Sequence, residues 1–349
     1  MTGKLEQVMT NLIMTFIVLF LAATLLINAK RKSESSHFFN FQNSNTLRGF
    51  WSLVVVLVHI PLAYQNRIQD IIGSFAYIGV TFFFMTSAYG LRISVEKSPA
   101  SIKFFWRRRL PKLLIPCLLA NIVQILFLAA EGKDISVLML VNISLWVEWL
   151  LVCYLIFWIC QKYIGSFVGD LIICIVVIGF SLTVYAFRDL IKNVTWCTEV
   201  FGFVWGIALF HKKDKFAAWM SKSWISKSLV LCLVAGVLGV LYLKFKFISF
   251  WGDYALKILL GAAITAFMLA LNTRIEIGNR ISSFLGRISF EVYLLHGIVF
   301  DVIESIAPNM ASGVFILTSL VLTIFLSAWL QRLGCWIMNR IQQRQMIGS

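Results

Sequence analysis

Long, uninterrupted apolar runs dominate this 349-residue chain and limit what it can fold into. Hydrophobic residues make up 60% of the sequence and charged residues only 13%, whereas soluble domains are about half apolar and about a quarter charged. A soluble fold of this size cannot hide so much apolar surface, because its exterior must be largely polar. A soluble enzyme, a secreted disulfide-bonded module and a disordered chain are therefore excluded. Because the runs are continuous rather than alternating, a transmembrane β-barrel is also disfavoured.

The apolar runs predict an all-α integral membrane protein with a bundle of about eleven transmembrane helices. A helix needs about 20 mainly apolar residues to cross a bilayer, and the runs have this length. The fifth run is the weakest because polar residues interrupt it. The predicted spans are residues 8–29, 47–65, 71–91, 113–130, 139–160, 168–187, 195–211, 227–244, 254–271, 287–306 and 312–333.

The chain carries 31 Lys and Arg against 16 Asp and Glu, a formal net charge of +15. In a soluble protein this excess would indicate a nucleic-acid partner. In a polytopic membrane protein it indicates the positive-inside bias, and no nucleic acid is expected. Twenty-three basic residues follow odd-numbered spans, seven lie on the other side and Lys257 lies within a span. We therefore predict an N-terminus outside and a C-terminus in the cytoplasm.

An arginine and a histidine share one face of the second predicted span. Arg48 precedes His59 by eleven positions, so the two lie about 20° apart around a helix and about 16 Å apart along it. Ionisable side chains within a span are costly and usually face a protein interior or a wet cavity. Arg48 at the cytoplasmic mouth, with His59 deeper and Pro61 loosening the helix, suits an anionic substrate that enters from the cytoplasm. A snorkelling arginine and a hydrogen-bonded packing histidine explain the pair equally well.

The tenth predicted span carries a second histidine and a carboxylate. His296 lies about ten residues, or about 15 Å, from the cytoplasmic end of its span. This depth is close to that of His59, so the two imidazoles are expected to line one cavity. Glu291 and Glu148 are candidates to orient a histidine. A pairing with a nearby Arg or Lys explains Glu291 equally well and is the favoured interpretation for Glu148.

A basic run follows the third predicted span, where five of the ten residues at 103–112 are Lys or Arg. Such a run anchors topology or attracts anionic lipid. It also suits a phosphate-rich ligand, which guanidinium groups bind well. The chain has no P-loop, no dinucleotide fingerprint, no HExxH metal motif and no serine hydrolase elbow, so no metal cofactor is expected.

Four segments, taken in order, resemble the bacterial membrane acyltransferase-3 family. They are NTLRGFWSLVVVLVHI at 45–60, GVTFFFMTSAYGL at 79–91, RRRLPKLLIP at 107–116 and GRISFEVYLLHG at 286–297. The first is similar to the family's opening helix, in which an Arg precedes an intramembrane His by eleven positions. The others are similar to its Gly-Val, aromatic run and Ser-Gly-Tyr/Phe segment, its Arg-x-x-Arg followed by a Pro, and its Ser-Tyr-x-x-Tyr-Leu-x-His pattern. The resemblance covers about residues 40–340.

The chain departs from the family pattern at three positions. Ala88 stands where Gly is usual, Lys112 replaces the second Arg of the pair, and Phe290 stands where Tyr is common. Lys112 keeps the charge but lacks the bidentate fork of an arginine. The first span precedes the ten-helix family core. We therefore predict an extra N-terminal helix with a basic linker at 1–40 and an acyltransferase domain at 41–349.

The resemblance implies acyl transfer at the inner membrane of a bacterium. The implied donor is cytoplasmic acyl-CoA, commonly acetyl-CoA, and the implied acceptor is a hydroxyl of a cell-surface or lipid-linked glycan. His59 would be the general base or would carry the acyl group itself. Together with the chemistry above, the resemblance gives catalytic candidates His59, Arg48, Glu291 and His296, and donor-binding candidates Arg107, Arg108, Arg109, Lys112 and Ser87.

Two other functions fit parts of the sequence. A transporter or flippase for a lipid-linked sugar would also need buried Arg, His and Glu around a wet path. Transporters often show repeated halves, and no repeat is found here. A membrane sensor or scaffold would leave the matched depth of His59 and His296 unexplained. Membrane lipids are expected contacts in every case, and no oligomeric state is predicted.

Overall fold

The computed structural model describes residues 2–31, 38–64, 66–190 and 197–347, and most of them are helical. The predicted all-α membrane class is confirmed. Lys32 and Lys192, which contribute to the predicted charge distribution, and the predicted start of a span at 195 lie outside the described residues. Within the described residues the long helices are α1 (Thr2–Leu26), α2 (Phe41–Val58), α4 (Tyr77–Lys97), α5 (Phe105–Ala130), α6 (Leu145–Tyr163), α7 (Ser166–Ala186), α8 (Phe201–Ser221), α9 (Trp224–Phe245), α10 (Lys257–Asn272), α12 (Ser289–Ile306) and α13 (Ser312–Ile347).

Shorter elements connect these helices. Two more α-helices, of seven and eight residues, complete the numbering. Short 3-10 turns and one π-helical turn precede or follow several long helices. These elements are α3 (Arg67–Gly73), α11 (Arg280–Arg287), the 3-10 turns Leu62–Tyr64, Pro99–Phe104 and Val137–Val141, and the π-helical turn Trp251–Leu256.

Each long helix overlaps one of the predicted spans. Seven segments of the described chain have the length and apolar composition of a membrane-crossing helix. The number of crossings and the orientation of the bundle stay predictions. The seven segments are Leu5–Leu26, Ile68–Lys97, Pro99–Ala130, Phe167–Ala186, Trp224–Phe245, Trp251–Asn272 and Ser312–Ile341.

Two predicted helix boundaries were wrong in ways that affect the site. The second span, predicted at 47–65, ends at Val58, and His59 caps it. Pro61 explains the early end, because proline lacks an N–H donor and disfavours helix in the residue before it. The fourth span, predicted to begin at 113, begins at Phe105. A helix can continue beyond the apolar run into a charged segment. Most of the basic run is therefore helical rather than a loop.

Contacts between connecting segments show that the bundle has two ends. Strand β1 (Lys30–Arg31), after α1, pairs antiparallel with strand β2 (Ile275–Glu276), after α10. At the other end, the Tyr64 hydroxyl after α2 donates to the carbonyl of Pro308 after α12. Two segments that follow odd-numbered predicted spans thus meet at one end, and two that follow even-numbered spans meet at the other. A chain that passes back and forth requires this arrangement.

Helices α4 and α8 approach each other closely through two glycines. Gly202 and Gly206 are separated by one turn of α8, the small-xxx-small spacing that lets helix backbones come together. A methyl group at Gly202 would overlap the backbone carbonyl of Thr81 in α4, and one at Gly206 would overlap that of Met85. The contact therefore depends on the absence of a side chain at both positions.

A buried ionic cluster joins four helices near the end that carries β1. The Asp170 carboxylate of α7 is 1% exposed and accepts from Arg92 Nε at 2.6 Å. It also contacts His211 Nε2 and Gln161 Nε2, each at 2.7 Å. The cluster links α4, α6, α7 and α8. Its acceptor oxygens are used within the protein, so it is a structural element.

A second buried ion pair lies toward the opposite end. Lys257, the basic residue inside a predicted span, places its Nζ 2.7 Å from the Glu199 carboxylate. The Thr198 hydroxyl also donates to Glu199, and the ammonium lies 4.8 Å from the centre of the Tyr77 ring. Buried ions need such close partners to offset the loss of hydration.

We expect Gly202→Ala to lower the thermal stability of the detergent-purified protein. The new methyl group meets backbone rather than a flexible side chain, so α4 and α8 must separate. This separation lowers the free energy of unfolding by about 1–3 kcal/mol. Gly236→Ala in α9 is the matched control, because its methyl group meets nothing within 4 Å. Equal melting temperatures for the two variants would contradict the close packing of α4 on α8.

Candidate active site

Two histidines from different helices are in contact. The ring centroids of His59, at the end of α2, and His296, in α12, lie 5.0 Å apart. His296 is 9% exposed, whereas His59 is exposed. The two imidazoles are therefore close together, as predicted. The expected place of His59 inside the second helix was wrong, because α2 ends at Val58 and His59 caps it.

Backbone carbonyls hold both rings in the same way. His59 Nδ1 lies 2.8 Å from the carbonyl oxygen of Val55, and His296 Nδ1 lies 3.3 Å from that of Val292. A carbonyl oxygen only accepts, so in each neutral ring Nδ1 carries the proton and Nε2 carries the lone pair. Each histidine can therefore offer Nε2 as a base or a nucleophile.

The two carboxylates considered for orienting a histidine lie elsewhere. Glu148 is exposed in the first turn of α6. Glu291 is buried in the first turn of α12, and its charge acts on Arg48. The structure thus favours the pairing of Glu291 with an arginine over an orienting role at an imidazole.

Arg48 and Glu291 are close enough to interact but do not satisfy each other fully. Arg48 is half-buried, with its guanidinium 4.9 Å from the centre of the Phe83 ring. Arg48 Nε and Glu291 Oε2 are buried and have no hydrogen-bond partner among the described residues. Buried polar atoms without partners are rare and require an explanation, which at a candidate site is a ligand.

Aromatic rings connect Arg48 with His296. Phe83 lies 6.4 Å from Tyr293 in α12, and Tyr293 lies 5.7 Å from His296. Trp146 of α6 packs against both Phe83, at 6.0 Å, and Tyr293, at 4.7 Å. Its indole Nε1 is buried without a hydrogen-bond partner in the described part of the chain. A row of aromatic side chains with unpaired polar atoms beside it therefore runs between the arginine and the histidines.

Tyr154 is a site residue that the sequence reasoning missed. It is 6% exposed in α6, its hydroxyl is hydrogen-bonded to Ser87 of α4, and the charges of Arg48 and Arg109 act on it. Three predicted site residues from three helices therefore converge on one tyrosine. Nothing distinguishes this tyrosine from the other eight in the sequence, because only the packing of α6 brings it there.

The four basic donor-binding candidates lie on the first turns of α5, but they do not all share one face, and the fifth candidate, Ser87, lies in α4. At 100° per residue, Arg108, Arg109 and Lys112 fall within about 100° of the helix circumference, and Arg107 lies outside that arc, about 100° beyond Arg108. Arg108, Arg107 and Lys112 are exposed, and Arg109 is half-buried. Arg108, Arg109 and Lys112 can therefore face one ligand, and we call them the α5 basic face.

The first and last motifs of the sequence pack directly against each other. A methyl group at Gly49 in α2 would lie 2.6 Å from the backbone nitrogen of Gly286 in α11. Asn45 Nδ2 donates to the carbonyl of Ser283 at 3.0 Å. This close contact fixes α2 beside the start of α12, which brings Arg48 to Glu291 and His59 to His296.

Comparison with known protein families gives a match over most of the chain. The model of a family described as an acyltransferase domain, acyltransferase family 3, matches residues 41–332, well over half of the chain. Searches of curated proteins and of solved structures give no match. No group of three or more His, Cys, Asp or Glu that could hold a metal ion is found among the described residues. The chain therefore belongs to membrane acyltransferase family 3.

Proposed function

We propose that this chain is a multi-pass membrane enzyme that moves an acyl group from acyl-CoA to a hydroxyl of a cell-surface or lipid-linked glycan. Acetyl-CoA is the leading donor. Family membership supports acyltransferase activity rather than a transporter or a scaffold. The observation that carries the proposal is the contact between His59 and His296, each with Nδ1 held by a backbone carbonyl and Nε2 left for chemistry.

The proposed topology has eleven crossings of a bacterial inner membrane, with the N-terminus outside. The distribution of basic residues and the two-ended arrangement of the connecting segments support it. The α5 basic face then lies on the cytoplasmic side, where acyl-CoA is made.

The proposed donor path begins at the α5 basic face, which would bind the phosphates of acyl-CoA. From there the pantetheine arm would follow Arg48 and the aromatic row toward His59. The unpaired donors Arg48 Nε and Trp146 Nε1, and the unpaired acceptor Glu291 Oε2, suit the amide groups of this arm. Arg48 and His59 are about 16 Å apart along the chain's helical path, a distance that an extended arm can span.

In the direct route, His59 Nε2 takes the proton of the acceptor hydroxyl while its oxygen attacks the thioester carbonyl carbon. The carbon–sulfur bond then breaks, and the leaving CoA thiolate takes the proton from the imidazolium. The products are the ester and CoA. His296, in ring contact with His59, stabilises the arrangement of the base.

In the covalent route, His59 Nε2 attacks the thioester first and CoA leaves. His296 then takes the proton of the acceptor hydroxyl, whose oxygen attacks the acyl carbon; the carbon–nitrogen bond to His59 breaks, and the proton passes from His296 to solvent, which protonates the released CoA thiolate. Acyl exchange between acyl-CoA and free CoA without an acceptor is expected for this route only.

We expect His59→Asn to lower acyl transfer by about 100-fold or more, because it removes the catalytic nitrogen. The asparagine amide can still donate to the Val55 carbonyl, so the end of α2 is preserved. Release of CoA and labelling of the acceptor by the purified protein give the measurement. His211→Asn, at a histidine bound to Asp170, is the matched control. Transfer at the wild-type rate by folded His59→Asn would rule out the proposed role.

We expect the triple change Arg108→Gln, Arg109→Gln and Lys112→Gln to weaken acetyl-CoA binding by about tenfold or more, because charge-assisted bonds to the phosphates are lost. Calorimetry at two salt concentrations gives the affinity and its electrostatic part.

The matched control removes three other positive charges from the same end of the bundle. Lys212, Lys215 and Lys222 are exposed and lie at the end of α8 or just after it. Their change to Gln should leave acetyl-CoA binding within about twofold of wild type, since only non-specific attraction is lost. Equal losses for both triple variants would refute a specific phosphate site on α5.

A further inference from the structure

A pocket lined by both polar and apolar side chains reaches His296 from the side opposite the α5 basic face. It has a volume of about 270 Å³ and is lined among others by Asn121, Gln124, Asn142, Ser144 and Gly297. Asn121 is twelve residues, or about 18 Å, beyond Arg109 along α5. A ligand in this pocket would therefore approach the histidines from the other end of the bundle.

Two amide side chains interrupt an otherwise apolar stretch of α5. Asn121 and Gln124 are the only side-chain amides between residues 113 and 130, and both line the pocket. Asn121 Nδ2 donates to the carbonyls of Leu140 and Asn142, at 3.0 and 2.6 Å, which leaves its oxygen for another partner. Polar groups at membrane depth are costly and usually face a wet, functional cavity.

The pocket continues into a wider groove with an acidic lining. The groove has a volume of about 860 Å³ and shares Asp301 with the pocket. It also contains Glu131, Lys133 and Glu304. Lys133 pairs with Glu131 at 2.5 Å, whereas Asp301 and Glu304 form no ion pair within the described residues.

The ionisation of the groove follows from its contacts. Hydrogen bonds from Lys133 and Ser305 hold the pKa of Glu131 below its usual value, so this carboxylate is charged at neutral pH. Lys133 pairs directly with Glu131 and its charge also acts on Asp301, but among the described lining residues it is one positive charge against three carboxylates. The groove therefore presents a net negative charge to anything that enters the pocket through it.

We propose that the groove and pocket form the acceptor site and select an uncharged polyhydroxylated acceptor, a neutral sugar, over an acidic sugar. This inference rests on the proposed function and adds the charge class of the acceptor and the place where it binds. Amide oxygens and nitrogens bind neutral hydroxyl groups, and His296 at the inner wall brings the reacting hydroxyl to the histidine pair. An anionic acceptor would be repelled by Asp301 and Glu304.

Gly297 provides a steric probe of this site. It lines the pocket in α12, and a methyl group placed there meets no protein atom within 4 Å. A larger side chain at 297 therefore starts in open space on the pocket wall and can narrow the pocket without a clash at its Cβ. Gly236 in α9 has the same open surroundings and does not line the pocket, so Gly236→Leu is the matched control.

We expect Gly297→Leu to lower transfer to the envelope glycans of the native host by about tenfold or more, since a blocked pocket misplaces the reacting hydroxyl. Thermal stabilisation by acetyl-CoA should stay at the wild-type level, which also shows that the variant folds. Gln124→Leu, which removes an amide without blocking the pocket, should raise the acceptor KM with little change in donor stabilisation. Wild-type transfer in Gly297→Leu would overturn the acceptor site.

Mass spectrometry of the acylated glycan tests the charge class. The proposal requires the new ester on an uncharged sugar residue, and an ester on a uronic or sialic acid residue would overturn it. If the wild-type protein itself moves no acyl group from acetyl-CoA, the proposed function fails. If the wild type transfers and Gly297→Leu transfers equally well, only the acceptor site is lost.

Discussion

A polar side chain at the depth of a hydrocarbon layer must find a partner within the protein or bind a ligand, because no water is there to solvate it. This constraint separates the polar residues of the bundle into two groups. Asp170 with Arg92 and His211, and Lys257 with Glu199, are paired inside the protein and join helices. Arg48, Glu291 and Trp146 keep buried polar atoms without partners among the described residues, and Arg48 and Trp146 lie along the aromatic row that leads to the histidines. These unpaired atoms are available to a ligand, whereas the paired group holds the bundle.

The site depends on the close approach of two backbone segments that are far from each other in sequence. Gly49 against Gly286 sets α2 beside the start of α12, and this contact is what brings His59 to His296. In the proposed enzyme, the donor and the acceptor reach this pair from opposite ends of the bundle. The α5 basic face and the Asn121–Gln124 pocket lie on the same helix about 18 Å apart, with the histidines between the two substrates.

Much of the architecture follows from the sequence because hydrophobic length directly reflects the bilayer. Each long helix overlaps a predicted span, and the shared depth of His59 and His296 followed from counting residues from the same side. Hydropathy does not show where a helix ends outside the apolar run. For this reason α5 begins at Phe105 rather than at 113, and the basic residues spread around a helix. Pro61 ends α2 before His59, although proline was expected only to loosen the helix.

Contacts that depend on tertiary packing could not be predicted. Tyr154 joins Arg48, Ser87 and Arg109 only because α6 packs between α4 and α5, and no spacing in the sequence signals it. The partner of Glu291 was left open between an imidazole and an arginine, and the rotation of α12 decides it. The proposed acceptor pocket combines α5, the segment before α6 and α12, three elements whose proximity is a property of the fold.

The most direct test of the account is a cryo-electron microscopy structure of the protein with a non-hydrolysable acetyl-CoA analogue. The account predicts phosphate density at Arg108, Arg109 and Lys112, an arm that passes Arg48 and Trp146, and the carbonyl carbon within about 3.5 Å of His59 Nε2. An analogue that binds away from α5, or whose carbonyl group lies far from both histidines, would contradict the central claim that this pair is the reaction centre.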